Sequence, residues 1–241
     1  MKTTTINIIC LANSIKNSGF CVAGIELNHH LTPIRWVRLI GDNHPQGLTL
    51  SDYCYENGDT PQVFDVINIP VVAQQPLSYH VENWLIDTNR YWHKRGAWDL
   101  DTTIQNLSSH INDGSLWING YSSQNGANNR IPKESFDSLD SSLQLIIADD
   151  VKLLAKRGVD TTGKKYERLY AYFRFADHRY ALSVTDPHIR QQYLHIDGTF
   201  NPLPLGPCLM TISIGEPYRD GFAYKLAAHI KPLTPVEFNN E

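Results

Sequence analysis

The chain lacks any apolar run close to the roughly 20 residues that a helix needs to cross a bilayer. It also lacks the pattern of a signal peptide, because Met1–Thr5 is polar and the apolar run Ile6–Ala12 is short. The cysteines form no C-x-x-C pair and have no regular spacing; they are Cys10, Cys21, Cys54 and Cys208. These absences predict a cytoplasmic protein with reduced thiols and no membrane contact.

Motifs of common catalytic and metal sites are also missing. The sequence contains no Walker loop, no dinucleotide-binding glycine motif, no nucleophile elbow and no zinc-deaminase signature. None of its histidines has metal-ligand spacing with another histidine, a cysteine or a carboxylate. We therefore expect no metal, no cofactor and no catalytic residue, and the sequence favours a non-catalytic protein.

A metal-dependent nuclease is a less favoured alternative. It would hold Mg²⁺ with the carboxylates of Asp149, Asp150, Asp186 and Glu216. Aspartates at the start of a strand and at a helix N-cap have structural explanations of their own, which is why this alternative is less favoured.

Charge is unevenly distributed along a chain whose composition is that of a folded protein. Hydrophobic residues make up 41% and charged residues 19%, which excludes a wholly disordered chain, and the formal net charge is −4. Between Val151 and Arg179, eight basic residues oppose three acidic ones, which gives a local charge of +5. The basic residues are Lys152, Lys156, Arg157, Lys164, Lys165, Arg168, Arg174 and Arg179. Such a segment can attract an anionic ligand, or it can be an ordinary solvated hairpin.

Both halves of the chain contain strand patterns. Alternating apolar and polar residues predict strands at Cys21–Asn28 and Val63–Val72, and a hairpin formed by Arg168–Phe175 and Tyr180–Thr185. About five strands with an inserted helix in each half are typical of the OB fold. We predict a mainly β protein with a few helices, built as two OB-like Greek-key barrels.

The polar stretch Asn119–Ile131 contains almost no residue that a core could use, and it predicts a linker or a long mobile loop. We therefore predict an N-terminal domain at residues 1–124 and a C-terminal domain at residues 125–241. Apolar spacing and capping residues predict three helices, at Leu100–Ile111, at Pro132–Ile146 and from Asp186 to Leu194.

The run Arg168–Arg174 reads Arg-Leu-Tyr-Ala-Tyr-Phe-Arg and carries the main functional signal. Successive side chains of a strand point to opposite faces, so one face carries apolar residues and the other carries Arg168, Tyr170, Tyr172 and Arg174. Aromatic rings stack on bases and guanidinium groups bind phosphates, so the second face suits a nucleic-acid strand. The alternative is a second small core of tyrosines, covered by the arginine side chains.

Two further groups extend the predicted binding surface. Lys156 and Arg157 would add phosphate contacts beside this strand. In the first half, Trp36 and Arg38 share a strand face, where they could stack a base and bind a phosphate. The alternative for this pair is a core tryptophan, with Arg38 ion-paired to Glu26 on the neighbouring strand.

Several short motifs resemble landmarks of one family. They are, in order, Cys10-Leu-Ala-Asn-Ser14, Cys21-Val-Ala-Gly-Ile25, Trp36-Val-Arg38, Glu82-Asn-Trp-Leu-Ile-Asp87, Val184-Thr-Asp-Pro187 and Gly215-Glu-Pro-Tyr218. In this order and spacing they resemble the prokaryotic dual OB-containing domain family over nearly the whole chain. The resemblance implies two OB folds and a nucleic-acid link in bacterial conflict systems, and it implies no catalytic mechanism.

We therefore predict a non-catalytic nucleic-acid-binding module, with a role in antiviral defence implied by the resemblance. The alternative is an adaptor that docks protein subunits of a larger assembly, because protein interfaces favour Tyr, Trp and Arg. Exposure distinguishes the two: solvent-exposed rings of Tyr170 and Tyr172 in a positive groove favour nucleic acid, and covered rings favour the adaptor.

Overall fold

The computed structural model of the protein describes residues 3–16, 19–42, 47–159, 163, 165–194 and 202–235. Contacts divide the chain into two compact units that interleave along the sequence. The first unit comprises Met1–Ile111 and Ser135–Leu143, and the second comprises Asn112–Glu134 and Gln144–Glu241. The chain thus passes from one unit to the other more than once, and the simple division into domains 1–124 and 125–241 stays a prediction.

The first unit is built on a six-stranded sheet. Its strands are β1 (Thr4–Lys16), β2 (Gly19–Leu27), β3 (Pro33–Ile40), β4 (Asp65–Gln74), β5 (Asn83–Ile86) and β6 (His93–Ala97). They are ordered β1-β2-β3-β5-β4-β6, and β4 also pairs with β1, so the first five strands form a closed cycle of pairings. The β3–β5 pair is parallel.

The second sheet repeats the cycle of five pairings. Its strands are β7 (Ile111–Asn112), β8 (Arg130–Pro132), β9 (Leu143–Val159), β10 (Lys165–Phe175), β11 (His178–Val184), β12 (Leu203–Ile214) and β13 (Phe222–Pro232). The order is β10-β11-β13-β12-β9-β7, with β8 paired to β13; β9 also pairs with β10, and the β11–β13 pair is parallel. The prediction of a mainly β protein with two OB-like units is confirmed.

Each unit has its own apolar core, formed by the alternate residues of its strands that face inward. The largest side chains of the first core are Tyr53 and Trp92, both fully buried, and the second core includes Phe173 stacked on Tyr180 at 5.2 Å between ring centres. Cys10 and Cys208 belong to these cores, and burial raises the pKa of each thiol to about 12. These two cysteines are therefore packing residues.

Helices α1 (Leu100–Asn106) and α2 (Pro187–Tyr193) confirm two of the three predicted helices. Each begins at an aspartate cap: the Asp99 carboxylate accepts from the Thr102 N–H at 2.7 Å, and the Asp186 carboxylate accepts from the His188 N–H at 2.9 Å. No helix in the described part of the chain is long and apolar enough to span a bilayer.

The third predicted helix, at Pro132–Ile146, is wrong. A short 3₁₀ helix occupies Lys133–Ser138, and strand β9 begins at Leu143. Between them, the Ser141 hydroxyl makes hydrogen bonds of 3.0 Å with both the N–H and the carbonyl of Leu143. Serine side chains that bond nearby backbone in this way compete with helix formation, and the apolar spacing alone could not reveal it.

The polar stretch Asn119–Ile131 belongs to the second unit and is hydrogen-bonded to itself and to β11. The Gly120 N–H donates to the Asn128 side chain at 2.7 Å, and the Ser123 N–H donates to the Asn129 side chain at 2.8 Å. The same asparagines that leave the stretch without core residues thus satisfy its backbone. The interpretation of this stretch as a free linker does not fit these bonds.

Candidate functional site

A tight turn fixes the strand pair that carries the predicted site. The predicted hairpin is confirmed: β10 and β11 are joined by Ala176 and Asp177, whose φ angles of 46° and 64° are those of a two-residue type I′ turn. Because Phe175 pairs with His178 across this turn, the register places Arg174 directly opposite Arg179.

Strand β9 lies on the other side of β10 and adds lysines to the same face. Lys156 is opposite Arg168, and Lys152 is opposite Tyr172. Residues that are directly opposite on paired strands point to the same side of the sheet. We call this surface the basic face; it consists of Lys152, Lys156, Tyr166, Arg168, Tyr170, Tyr172, Arg174 and Arg179. Four of the predicted residues of β10 and Lys156 therefore lie together.

Two like-charged pairs lie on the basic face, Lys156 with Arg168 and Arg174 with Arg179. Arg168, Arg174 and Arg179 are exposed to solvent. Like charges directly opposite each other destabilise a sheet, by the same roughly 0.2–1 kcal/mol that opposite charges contribute. The basic face therefore lowers the stability of the protein alone, and it is favourable for binding an anion.

The two predicted tyrosines differ in exposure. Tyr172 is half-buried, whereas Tyr170 is only 3% exposed. The Lys156 ammonium lies 5.2 Å from the centre of the Tyr170 ring and 5.8 Å from the centre of the Tyr172 ring. The exposed part of the Tyr172 ring can stack on a base. The Tyr170 ring is buried and serves as a packing residue of this surface.

Arg157 lies on the opposite side of β9 from Lys156, and this corrects its predicted place. Side chains alternate along the strand, and the Arg157 guanidinium forms an ion pair with Glu167, its partner in register on β10. It also donates to the Leu194 carbonyl at 3.1 Å. The sequence predicts that Lys156 and Arg157 both contact phosphates beside β10, but strand alternation places their side chains on opposite faces of the sheet.

The structure also corrects the prediction for Arg38. Its side chain is buried, with 2% of the residue exposed, and its guanidinium donates to Ser142 Oγ at 2.7 Å and to Cys21 Sγ at 3.2 Å. Its ion-pair partner is Glu82 at 3.4 Å, not Glu26. A guanidinium so enclosed cannot reach a phosphate.

Trp36 and the exposed Arg35 occupy the outer part of β3. Glu26 is the partner of Arg35, at 2.8 Å, and the Arg35 guanidinium lies 5.1 Å from the centre of the Trp84 ring. Trp36 is half-buried. Trp36 stays a predicted nucleic-acid contact of the first unit, but Arg38 does not contribute to that contact.

Asp186, a possible metal ligand of the nuclease alternative, is engaged within the second unit. Burial acts to raise its pKa, but the hydrogen bond from His229 Nδ1 at 2.7 Å, with further backbone bonds, holds that pKa below its usual value. Asp150 pairs with Lys152 at 2.9 Å. Among the described residues, no three His, Cys, Asp or Glu side chains are grouped so that they could hold a metal ion.

Sequence analysis missed three residues of the basic face: Lys152, Tyr166 and Arg179. Tyr166 lies two positions before Arg168, so strand alternation extended by one step would have included it. The Arg168 guanidinium is 5.4 Å from the centre of the Tyr166 ring, and the Tyr166 side chain passes over Gly158, where a Cβ would lie 2.8 Å from its hydroxyl oxygen. Lys152 and Arg179 required the register of the neighbouring strands.

A second group of aromatic residues, also missed, surrounds Phe222 at the start of β13. The Arg130 guanidinium lies 4.2 Å from the centre of the Phe222 ring, and Tyr121 is 5.9 Å from it. Tyr218 makes an edge contact with Tyr224 and is 68% exposed. We call these five residues the aromatic cluster.

Comparison with known proteins identifies a family and also finds distant structural likenesses. The model of the Dual OB-containing domain family matches residues 6–230. A chain in the structure of a replication protein A heterotrimer bound to ssDNA is 9% identical with a TM-score of 0.33; the match covers 97% of this chain and 50% of that one. This protein thus spans about half the length of that chain.

The second likeness is to a deletion mutant of the single-stranded DNA binding protein from Thermus aquaticus. It is 10% identical with a TM-score of 0.21, and the match covers 100% of this chain and 98% of that one. At these scores neither likeness bears on function. No curated protein matches the chain in sequence.

Proposed function

The chain belongs to the dual OB-containing domain family, and on that premise we propose that it is a non-catalytic module that binds single-stranded nucleic acid on the basic face. The observation that carries the proposal is that two pairs of basic residues lie directly opposite each other in register, Lys156 with Arg168 and Arg174 with Arg179. Both pairs lie on the strand face that also carries Tyr172. Bound phosphates would remove the repulsion within each pair.

The position of this face in the fold supports the proposal. OB folds bind oligonucleotides on the face of their second and third strands. In the second unit these are β10 and β11, the strands of Arg174 and Arg179. In the first unit the third strand is β3, which carries Trp36. This support is an analogy at the level of the fold, and the residues themselves supply the chemistry.

Spacing along β10 fits an extended strand of nucleotides. Alternate residues of a β-strand are about 6.5–7 Å apart, comparable to the separation of unstacked nucleotides. Arg168 and Arg174 lie on either side of Tyr172 along β10. In our proposal Tyr172 stacks on a base, and the flanking cations bind the phosphates on either side.

A protein-interaction adaptor is the second candidate, and the aromatic cluster favours it. Tyr218 and Tyr121 are 68% and 41% exposed, and the Tyr121 carbonyl accepts from the Arg130 N–H at 3.1 Å. Tyr and Arg side chains are enriched in protein interfaces. The nearly complete burial of Tyr170 also fits this candidate better than it fits base stacking.

Photo-crosslinking distinguishes the two candidates. Labelled single-stranded DNA and RNA are irradiated with the full chain, and the crosslinked peptides are located by mass spectrometry. We expect crosslinks within strand β10 (Lys165–Phe175) and on the neighbouring strand β11 (His178–Val184). Crosslinks confined to Tyr218–Tyr224, or none with either nucleic acid, would overturn the proposed interface.

The setting that we propose is bacterial antiviral defence in the cytoplasm, which rests on the family resemblance. Bacteria that express the chain should resist phage better than bacteria that express Tyr172→Ala. Equal plaque counts with both variants, at equal protein levels, would remove the basic face from any defence role.

A further inference from the structure

Tyr166 presents a second aromatic ring on the basic face. It points to the same side of β10 as Tyr172, because an even number of positions separates the two residues, and both are half-buried. Tyr170, which lies between them on this side of the strand, is only 3% exposed. The strand therefore offers two partly exposed tyrosine rings, and the tyrosine between them is covered.

A glycine on the neighbouring strand determines how the Tyr166 ring lies. Gly158 is opposite Tyr166 in register, and a Cβ at Gly158 would lie 2.8 Å from the hydroxyl oxygen, 2.9 Å from Cζ and 3.1 Å from Cε1 of that ring. A Cβ stands out from the pleated surface of a sheet, so the ring lies across β9 in the space that a side chain would fill. One side of the ring is thus held against the sheet, and a base can stack on the other side.

Two cations lie between the rings. Lys156 is opposite Arg168 in register, and the Arg168 guanidinium is 5.4 Å from the centre of the Tyr166 ring. The Lys156 ammonium is 5.8 Å from the centre of the Tyr172 ring. Each ring therefore has a neighbouring cation from the middle of the face, where the phosphates that join two stacked bases would lie.

The distance between the two rings fits a strand of four nucleotides. Six residues of a β-strand span about 20 Å, and an extended, unstacked nucleotide spans about 6.5–7 Å, the same as two residues. Three nucleotide steps therefore lead from one ring to the other. In a duplex each strand advances by only about 3.4 Å per nucleotide and its bases are stacked on each other, so a duplex cannot place bases on both rings.

We propose, as an inference that rests on the proposed function, that the basic face takes an extended single-stranded segment of four nucleotides, whose terminal bases stack on Tyr166 and Tyr172. The two middle bases stack on no ring, and the phosphates between the stacked bases contact Lys156 and Arg168. The site therefore selects a single strand by its length and extension, and not by the identity of its middle bases.

A length series tests the two-ring site. Unlabelled oligothymidylates and oligouridylates of two to eight nucleotides compete with a labelled twelve-nucleotide strand for the full chain, as wild type, Tyr166→Ala and Tyr91→Ala. The step from three to four nucleotides should raise the affinity of the wild type by about five- to 150-fold more than that of Tyr166→Ala, which lacks the second ring. Tyr91 is 53% exposed and lies outside the basic face, so Tyr91→Ala should behave as the wild type.

The outcomes separate this inference from the proposed function. If the wild type binds the labelled strand, and the fourth nucleotide raises the affinities of the wild type and of Tyr166→Ala equally, the two-ring site is overturned and the proposed function stands. If the wild type does not bind the labelled strand even at low salt, the proposed function is overturned as well.

Abasic nucleotides locate the stacked bases. In a four-nucleotide strand, an abasic first or fourth nucleotide should lower the affinity of the wild type by about five- to 150-fold, whereas an abasic second or third nucleotide should lower it by less than about threefold. In Tyr166→Ala only one of the two ends should still matter, and that end carries the base that stacks on Tyr172. Equal losses at all four positions would contradict the arrangement.

Gly158→Ala tests the position of the ring without removing it. The added Cβ would displace the Tyr166 ring, so this variant should lose the gain from the fourth nucleotide, as Tyr166→Ala does. Gly96→Ala is the matched control, because Gly96 also lies in a strand and a Cβ there meets nothing within 4 Å. Tyr166→Phe keeps the ring and should keep the gain. An undiminished gain in Gly158→Ala, or its loss in Tyr166→Phe, would refute the stacking role of this ring.

Discussion

Lys156 and Arg157 are neighbours in sequence and lie on opposite sides of strand β9: the Lys156 ammonium is 5.8 Å from the Tyr172 ring centre, and the Arg157 guanidinium pairs with Glu167. The two residues therefore form a matched pair for testing the basic face. They carry the same charge at adjacent positions of one strand, and they differ in the face of the sheet to which the side chain points.

Lys156→Gln should weaken binding of single-stranded nucleic acid and lower the slope of log affinity against log salt by about one unit, because one phosphate contact is lost. Arg157→Gln should leave both quantities near their wild-type values. The measurement is a set of fluorescence polarisation titrations at several salt concentrations. Equal effects of the two substitutions would show that general positive charge, and not the basic face, governs binding.

Arg179→Gln should separate stability from binding. It removes one member of the like-charged pair with Arg174, so the free energy of unfolding should rise by roughly 0.2–1 kcal/mol while affinity for nucleic acid falls. Urea denaturation and polarisation on the same samples measure both. A variant that loses stability together with affinity would show that the arginine pair contributes to the fold, contrary to our account.

The buried Arg38 should matter to the fold of the first unit far more than the exposed Arg35. Arg38→Met leaves the Glu82 carboxylate without its cation in a buried site, and it should lower the free energy of unfolding by about 3–5 kcal/mol. Arg35→Met removes a surface ion pair with Glu26, so we expect a change of about 0–1 kcal/mol. Similar losses in chemical denaturation of the two variants would refute the internal role of Arg38.

Lys225 should make the stability of the second unit depend on pH. It is fully buried, its ammonium donates to the Ile118 carbonyl at 2.6 Å, and burial lowers its pKa to about 7. In the unfolded chain a lysine keeps its proton up to about pH 10.4, so between these values the unfolded state binds more protons and stability rises with pH. Below about pH 7 this gain is absent.

The slope should reach at most about 1.4 kcal/mol per pH unit for this one group. Lys225→Met removes the titrating group and should flatten the rise between pH 7 and 9, measured by urea denaturation at each pH. The buried thiols Cys10 and Cys208 are present in both proteins, so their contributions cancel in the comparison. Parallel curves for the two proteins would mean that Lys225 does not titrate in this range.

Local pattern was sufficient to predict the strands and the hairpin that position the basic face. Alternation along Arg168–Phe175 separates the core face from the polar face, and that separation depends only on backbone geometry. The neighbours across the sheet were not accessible in this way. Lys152 joins the face through the register of β9, and Arg179 joins it through the register that the type I′ turn sets. Ala176 is not one of the residues typical of such a turn, so its presence does not indicate the turn type.

Burial was the other quantity that the pattern did not contain. Arg38 and Lys225 are buried basic residues, and each bonds a segment that is distant in sequence, at Ser142 and at Ile118. Residues that are far apart in sequence but meet in a fold leave no periodic signal. For the same reason, the sequence could not show that Tyr170 is buried whereas Tyr172, on the same strand face, is partly exposed.

The most direct test of the account is a polarisation titration of a labelled single-stranded oligonucleotide with the wild-type chain, Tyr172→Phe and Tyr172→Ala, each first shown to be folded. The account predicts measurable, salt-sensitive binding by the wild type, near wild-type affinity for Tyr172→Phe, and a loss of about 1–3 kcal/mol for Tyr172→Ala, because only the last removes the ring on which a base stacks. Wild-type affinity in folded Tyr172→Ala would contradict the central claim.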